Sequence, residues 1–159
     1  MYCGCIDAKL KYKRVRKDGI VAVIIHSRKV LLLKRRNIPV ILNPGIWTFL
    51  SGGRSRGERY LDTAYREIKE ETGIGRDSLR LLFSTMMTIF DRKRRLSWPN
   101  RVFIFVSSTG KVRLDYENSR YRWAAMDQIE KEINYTNIFI NRSRIEKMIR
   151  GFIHGEEGT

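Results

Sequence analysis

Cysteine is nearly absent from this chain: Cys3 and Cys5 are the only two, and they stand close together near the start. That spacing closes no useful loop, and two thiols without a neighbouring histidine are too few for a structural zinc site. Histidine is equally scarce, with His26 in a turn and His154 in the tail, so neither has a sequence neighbour that suggests catalysis. Long apolar runs are missing as well. The longest, Ile20 to Ile25 and Val30 to Leu33, fall far short of the about 20 residues that cross a bilayer. The basic start is followed by no stretch resembling a secretory signal, which points to the cytoplasm. Acidic residues are the minority, 17 against 32 Lys and Arg, for a formal net charge of +15. Such a field favours an anionic partner, whether a phosphorylated metabolite, a nucleotide or RNA, without choosing among them.

What is present supports one domain over residues 1–159, with the extreme C-terminal tail loose. The 42% of hydrophobic residues is enough for a core, which excludes a mainly disordered chain. Lys9 to Lys17 alternates as an early edge strand would. Ile20 to Ile25 and Val30 to Leu33, separated by a short polar step, read as a hairpin. Asn37 to Trp47 holds two of the three prolines and reads as loop. A short strand, Trp47 to Gly53, then ends in tandem glycines. Leu61, Ala64, Tyr65 and Ile68 recur at spacings of three and four, giving a helix with one apolar stripe that stops at Gly73. Two strand-like stretches follow, with the basic segment Asp91 to Asn100 between them. Tyr121 to Ile133 reads as a strand entering a short helix, and Ile145, Met148, Ile149 and Phe152 mark a C-terminal helix. The order describes a mixed α/β, α+β-like sandwich.

The carboxylates are not scattered. Glu67, Glu70 and Glu71 occupy positions i, i+3 and i+4 and share one helical face, with Glu58 and Asp62 in the segment that leads into it. Crowded carboxylates raise one another's pKa unless cations compensate them. Arg66 and Lys69 supply part of that compensation. A divalent ion supplies more, and oxygen-only ligands suit Mg²⁺ or Mn²⁺. The alternative for such a pattern is an ordinary solvated acidic face. Gly52 and Gly53 allow a tight loop before the helix whose N–H groups can approach an anion.

Gly52 to Ile74 resembles the Nudix box, G-x5-E-x7-R-E-U-x-E-E-x-G-U with U a bulky aliphatic residue. Gly52, Glu58, Arg66, Glu67, Ile68, Glu70, Glu71, Gly73 and Ile74 fill every specified position. The flanking strands also look like those of the Nudix hydrolase family. The resemblance implies a Nudix-type α/β/α sandwich with a mixed β-sheet. It implies hydrolysis of a nucleoside diphosphate linked to another group, with Mg²⁺ or Mn²⁺. On it, Glu67 and Glu71 match the principal metal ligands, and Glu70 is a further ligand or a base acting through water. Arg66 orients the carboxylates by ion pairing, with Glu58 as a partner. A further carboxylate in this family comes from outside the box at varying positions; Glu117 is the candidate here, ahead of Asp115 and Asp127. The chain departs from the family in that many members have Pro-Gly-Gly before the box, whereas here Leu50-Ser51 precedes Gly52-Gly53.

Arg54 and Arg56 stand in the loop before the helix, placed to meet substrate phosphates, and their guanidinium groups suit bidentate contact. Lys34, Arg35 and Arg36 follow a strand and are candidates for the same cleft. Trp47 is either a core residue or a ring that faces the base, whereas Trp123 reads as core. Phe90, Tyr116 and Tyr121 are candidates to line a nucleobase pocket. Arg92 to Arg95 with Trp98 form either a solvated hairpin end or a basic loop that stacks a base or follows an RNA backbone. The second functional class is therefore an RNA- or nucleotide-binding module with little turnover. A homodimer, paired through the N-terminal strand, is compatible with the sequence.

Overall fold

The computed structural model describes residues 12–41, 44–91, 94–132, 138–139 and 142–155. Cys3, Cys5, Arg92, Lys93 and the tail after residue 155 lie outside them, as does the start of the expected early strand. In chain order the elements are β1 (Lys13–Arg14), β2 (Gly19–His26), β3 (Lys29–Arg35), β4 (Trp47–Thr48), β5 (Leu50–Gly53) and α1 (Tyr60–Thr72). After a 3-10 turn at Arg76–Ser78 come β6 (Leu79–Asp91), β7 (Leu96–Ser107), β8 (Asn118–Ala124), α2 (Met126–Glu132), β9 (Ile138–Phe139) and α3 (Arg142–Gly155).

One mixed sheet joins the strands. β2 and β7 run parallel from Gly19 opposite Asn100 to Ile25 opposite Val106. β6 pairs antiparallel with β7, β5 with β2, and β8 with β3. The expected hairpin forms between β2 and β3. Ser27 and Arg28 both take positive φ, 48° and 61°, as a two-residue turn matched to strand twist requires.

Strand alternation sends β2 side chains to opposite faces. Ile20, Ala22 and Ile24 meet Ala64 and Ile68 of α1, together with Phe103 and Phe105. Val21, Val23 and Ile25 meet Ile129 of α2 and Ile145, Ile149 and Ile153 of α3. Helices thus cover both faces, and β2, buried on both sides, reads as a continuous apolar run for that reason. The fold is an α/β sandwich built on one mixed sheet, as expected. No helix among the described residues is long and apolar enough to cross a membrane.

The expectation that Asp91 to Asn100 lies between two strands is corrected, and so is the reading of Trp98 as an outward ring of a basic loop. Leu96 to Asn100 belongs to β7, which pairs antiparallel with β6 out to Asp91 opposite Leu96. Trp98 is only 7% exposed and lies in the core with Val102, Ile104 and Met87. The cause is alternation: Trp98 continues the inward register of β7, and the lysine side chain of Lys17 covers its ring at 5.0 Å. It is not an outward stacking ring. Pro99 sits within the same strand where β7 changes neighbours, β1 pairing up to Ser97 and β2 from Asn100. A residue without an N–H is tolerated at such a break.

Candidate active site

The first requirement of the site is the close approach of β5 to β2 and α1. A Cβ placed on Gly19 would collide with the Gly52 carbonyl, and one on Gly52 would collide with the Glu67 carboxyl. The glycine turn therefore exists to let backbone and carboxylate share one space. Ile68 and Ala64, both fully buried, fix the rotation of α1 and with it the direction of Glu67, Glu70 and Glu71. Gly73 closes the helix at φ 72°, its N–H bonded to the Lys69 carbonyl.

Arg66 is the hub. Its Nε and Nη2 fork onto Glu58 at 2.9 and 3.0 Å, Nη1 reaches Glu67 at 2.7 Å and Glu70 at 3.3 Å, and Nη2 also bonds the Gly53 carbonyl at 3.1 Å. One guanidinium so ties the helix to the turn and to three carboxylates. Glu58 in addition accepts from the Ser55 N–H at 3.1 Å and the Thr63 hydroxyl at 2.9 Å. The Arg66 bonds, with the Ser55 N–H, hold its pKa down to about 2. Arg66 itself is held above its ordinary value, chiefly by Glu58.

Glu67 and Glu71 are in the opposite condition. Burial raises Glu67 above the usual carboxylate range in spite of Arg66. Burial pushes Glu71, 4% exposed, up to about 8. A hydrogen bond from Asn118 Nδ2 at 2.9 Å opposes that rise, while Asp115 and Glu67 add to it. Asn118 Nδ2 also reaches Asp115 at 3.1 Å, and its buried Oδ1 has no hydrogen-bond partner. Glu70 projects outward with 56% of its side chain exposed.

Among the described residues no three His, Cys, Asp or Glu side chains stand together as a finished ligand cluster. Arg66 binds Glu67 and Glu70, whereas Asn118 holds Glu71. The donor set nevertheless fits a hard divalent ion. All the candidates are oxygen ligands, the buried Glu71 and the partly buried Glu67 have pKa values raised chiefly by burial, and an orphaned amide oxygen adjoins Glu71. Glu67 and Glu71, with Glu70, are the residues that would hold it.

The remaining expected residues fall around this face. Arg35 bonds Glu117 at 3.5 Å, across a β-bulge between Lys34 and Arg35 in the β3–β8 pairing. The Arg36 Nε donates to the Tyr116 carbonyl at 2.5 Å. Arg54 forks onto Asp18 at 2.8 and 3.1 Å, donates to the Glu58 carbonyl at 2.8 Å and lies 4.6 Å from the Tyr60 ring. Arg56 is exposed in the turn before α1. Trp47 is half-buried against the core, with the Arg122 guanidinium 5.0 Å and the Lys34 ammonium 5.9 Å from its ring. Tyr116 and Tyr121 are exposed, and Phe90 meets Tyr12 edge-on at 5.1 Å. Trp123 is half-buried and donates to the Gly110 carbonyl at 3.0 Å. Sequence reasoning missed Asn118 and Asp18. Asn118 is a polar residue at a strand start whose partner stands on a distant helix, and Asp18 is an isolated acid in a basic run.

Fold and site together define a sandwich in which a glutamate-rich helix leaves a glycine turn. The NUDIX domain model matches residues 15–142, and the chain belongs to that family. Over 68 residues it is 34% identical to an uncharacterized Nudix hydrolase of Pseudomonas aeruginosa, covering 42% of this chain and 40% of that protein. Over 88 residues it is 33% identical to the asymmetrical bis(5'-nucleosyl)-tetraphosphatase of Rattus norvegicus, covering 52% of this chain and 57% of that one. The matches thus span about half the length of these curated relatives. In structure the chain resembles a C. elegans Ap4A hydrolase in a binary complex, with a TM-score of 0.69 at 19% identity over 90% of this chain and 99% of that one. It also resembles the E. coli dihydroneopterin triphosphate pyrophosphohydrolase, with a TM-score of 0.61 at 22% identity over 87% and 95%. At such identities the likeness is one of fold.

Proposed function

We propose that the chain is an Mg²⁺-dependent pyrophosphohydrolase, with Mn²⁺ as an alternative metal, acting on a nucleoside diphosphate linked to another group. The observation that carries the reading is Glu71, a carboxylate buried near Glu67 whose ionised form the Asn118 amide and the charge of Arg35 compensate only in part. Burying such groups is costly unless a cation joins them, and the family's chemistry supplies one. When bound, the metal neutralises charge on the reacting phosphates and lowers the pKa of a water.

The chain's own residues have separate tasks in this reading. Glu67 and Glu71 hold the cation, and Arg66 fixes Glu67 while Glu58 fixes Arg66. Glu70, the exposed member, accepts a proton from the attacking water, and Glu117 lies with Arg35 at the edge as a second carboxylate. Arg35 and Arg56 contact phosphates, Arg54 borders them from its seat on Asp18, and Trp47 contributes the side of the base. The test is release of phosphate or nucleotide from a panel of nucleoside diphosphate derivatives under metal titration, comparing the native protein with Glu70→Gln and Glu71→Gln. Metal-dependent turnover that falls in the variants is expected. Full activity in both would overturn the site assignment. The alternative of an RNA-binding module loses its stacking ring with the burial of Trp98.

A further inference from the structure

A strongly charged concavity lies away from the carboxylate helix, beside the break in β7. It has a volume of about 580 Å³ and is lined by Arg14, Arg16, Lys17, Arg54 and Asp18, with Val15 and Pro99 completing its walls. Its origin is topological. β1 leaves β7 after Ser97 and β2 joins at Asn100, so Val15 to Asp18 span a gap that Pro99 cannot close by hydrogen bonding. The side chains facing it are four cations and one carboxylate. Asp18 is already committed to Arg54 and to the Tyr60 hydroxyl, at 2.8 and 3.0 Å. Arg14, Arg16 and Lys17 are exposed, and among the described residues no carboxylate pairs with them. Like charges held this close repel one another, and an anion removes the repulsion.

We propose that this cleft is a second anion site, built to accept a chain of phosphates extending from the substrate. Its size is that of a small-ligand pocket rather than of a groove. Among the described residues its lining holds no aromatic ring: Lys17 covers Trp98 and Arg54 covers Tyr60, and sequence-tolerant binding of single-stranded RNA relies on such rings. Arginine-rich walls without a stacking platform suit phosphate oxygens alone. The cleft also adjoins the glycine turn: the Arg54 N–H donates to the Asp18 carbonyl at 3.3 Å, one residue beyond the Gly53 carbonyl that receives Arg66. A ligand seated there can continue toward α1. The protein then favours nucleoside polyphosphates over nucleoside diphosphates joined to a neutral group. That preference rests on the hydrolase reading above, whereas the anion site does not.

The experiment is calorimetric titration of the full chain with inorganic tripolyphosphate in EDTA, beside a 5′-hydroxyl oligoribonucleotide. Tripolyphosphate is expected to bind, more weakly as salt rises. Arg14→Gln and Arg16→Gln should each weaken it by about tenfold, the loss of one charge-assisted contact, while Glu71→Gln leaves it unchanged. Unaltered affinity in Arg14→Gln, Arg16→Gln and Lys17→Gln overturns the site, as does no binding at all. An oligoribonucleotide that binds more tightly than tripolyphosphate, and is lost in the same variants, gives the cleft to RNA and also overturns the proposal. Absence of hydrolysis with the arginine effects intact removes the enzymatic reading and leaves the site standing.

Discussion

Glu58 and Glu71 belong to one sequence motif, the first just before α1 and the second in its last turn, yet they are opposites. Glu58 sits in a fork of Arg66 with a backbone N–H and a hydroxyl besides, and its pKa falls to about 2. Glu71 has burial and a single amide donor, and its pKa rises to about 8. The first is a completed ion pair that organises the helix. The second is an incomplete one. Within a motif the same residue type serves as brace or as ligand according to how much positive charge the fold has already given it.

The largest break in this comparison comes from Glu71→Gln. Its amide preserves shape and still accepts from Asn118, but it cannot ionise. Metal-dependent turnover should fall by about a thousandfold, on the scale of lost electrostatic stabilisation at a reacting phosphoryl group. In EDTA at about pH 8 the same variant should melt higher than the native protein, since no buried charge has to form. A lower melting temperature there would show that Glu71 acts as a brace after all.

Next in size is Gly52→Ala. The new methyl displaces the Glu67 carboxyl, so activity should drop by roughly 10- to 100-fold through misplacement of a ligand. Because the obstructing atoms end a side chain, thermal stability should change little. An equal loss of both would mean that the glycine serves the fold alone.

The third difference appears with pH. Glu71 has a folded-state pKa above its ordinary 4.5, so the metal-free protein keeps its full stability below that value and loses some as pH rises toward 8. A cation that favours the ionised form offsets this. The rise in melting temperature caused by Mg²⁺ should therefore be greater at about pH 8.5 than at about pH 5.5. Glu71→Gln should flatten the difference.

The smallest effect belongs to Glu58→Gln. Glu58 contributes stability above its ordinary pKa of 4.5, and that contribution is lost as pH falls toward 2. The variant should melt slightly lower at neutral pH and match the native protein in strong acid. Its kcat should fall less than tenfold, because Arg66 retains Glu67 and Glu70. A loss as large as that of Glu71→Gln would make the two carboxylates equivalent.

Much of the fold and of the site is legible in the sequence. The Leu61, Ala64, Tyr65 and Ile68 stripe, the Gly73 stop and the β2–β3 hairpin are local patterns, and local periodicity survives folding unchanged. Other features depend on which strands become neighbours. Trp98 looked like part of a basic loop because composition dominated a stretch whose alternation was masked by Pro99. Arg54 looked free for phosphates because Asp18, across the β2–β5 seam, is far from it in sequence. Asn118 could be named as polar, but its hold on Glu71 spans two halves of the chain. The charged cleft arises from a change of partner along β7, which no spacing rule encodes.

The parallel seam of β2 and β7 has a kinetic consequence. Gly19 meets Asn100 only when two segments far apart in the sequence come together, and such distant contacts are slow to close. The β6–β7 hairpin and α1 can form locally before that. Glu71 meets Asn118 and Arg35 meets Glu117 only once the halves have joined. Refolding followed by helix signal should therefore run ahead of refolding followed by recovered activity, with the interval set by closure of that one seam.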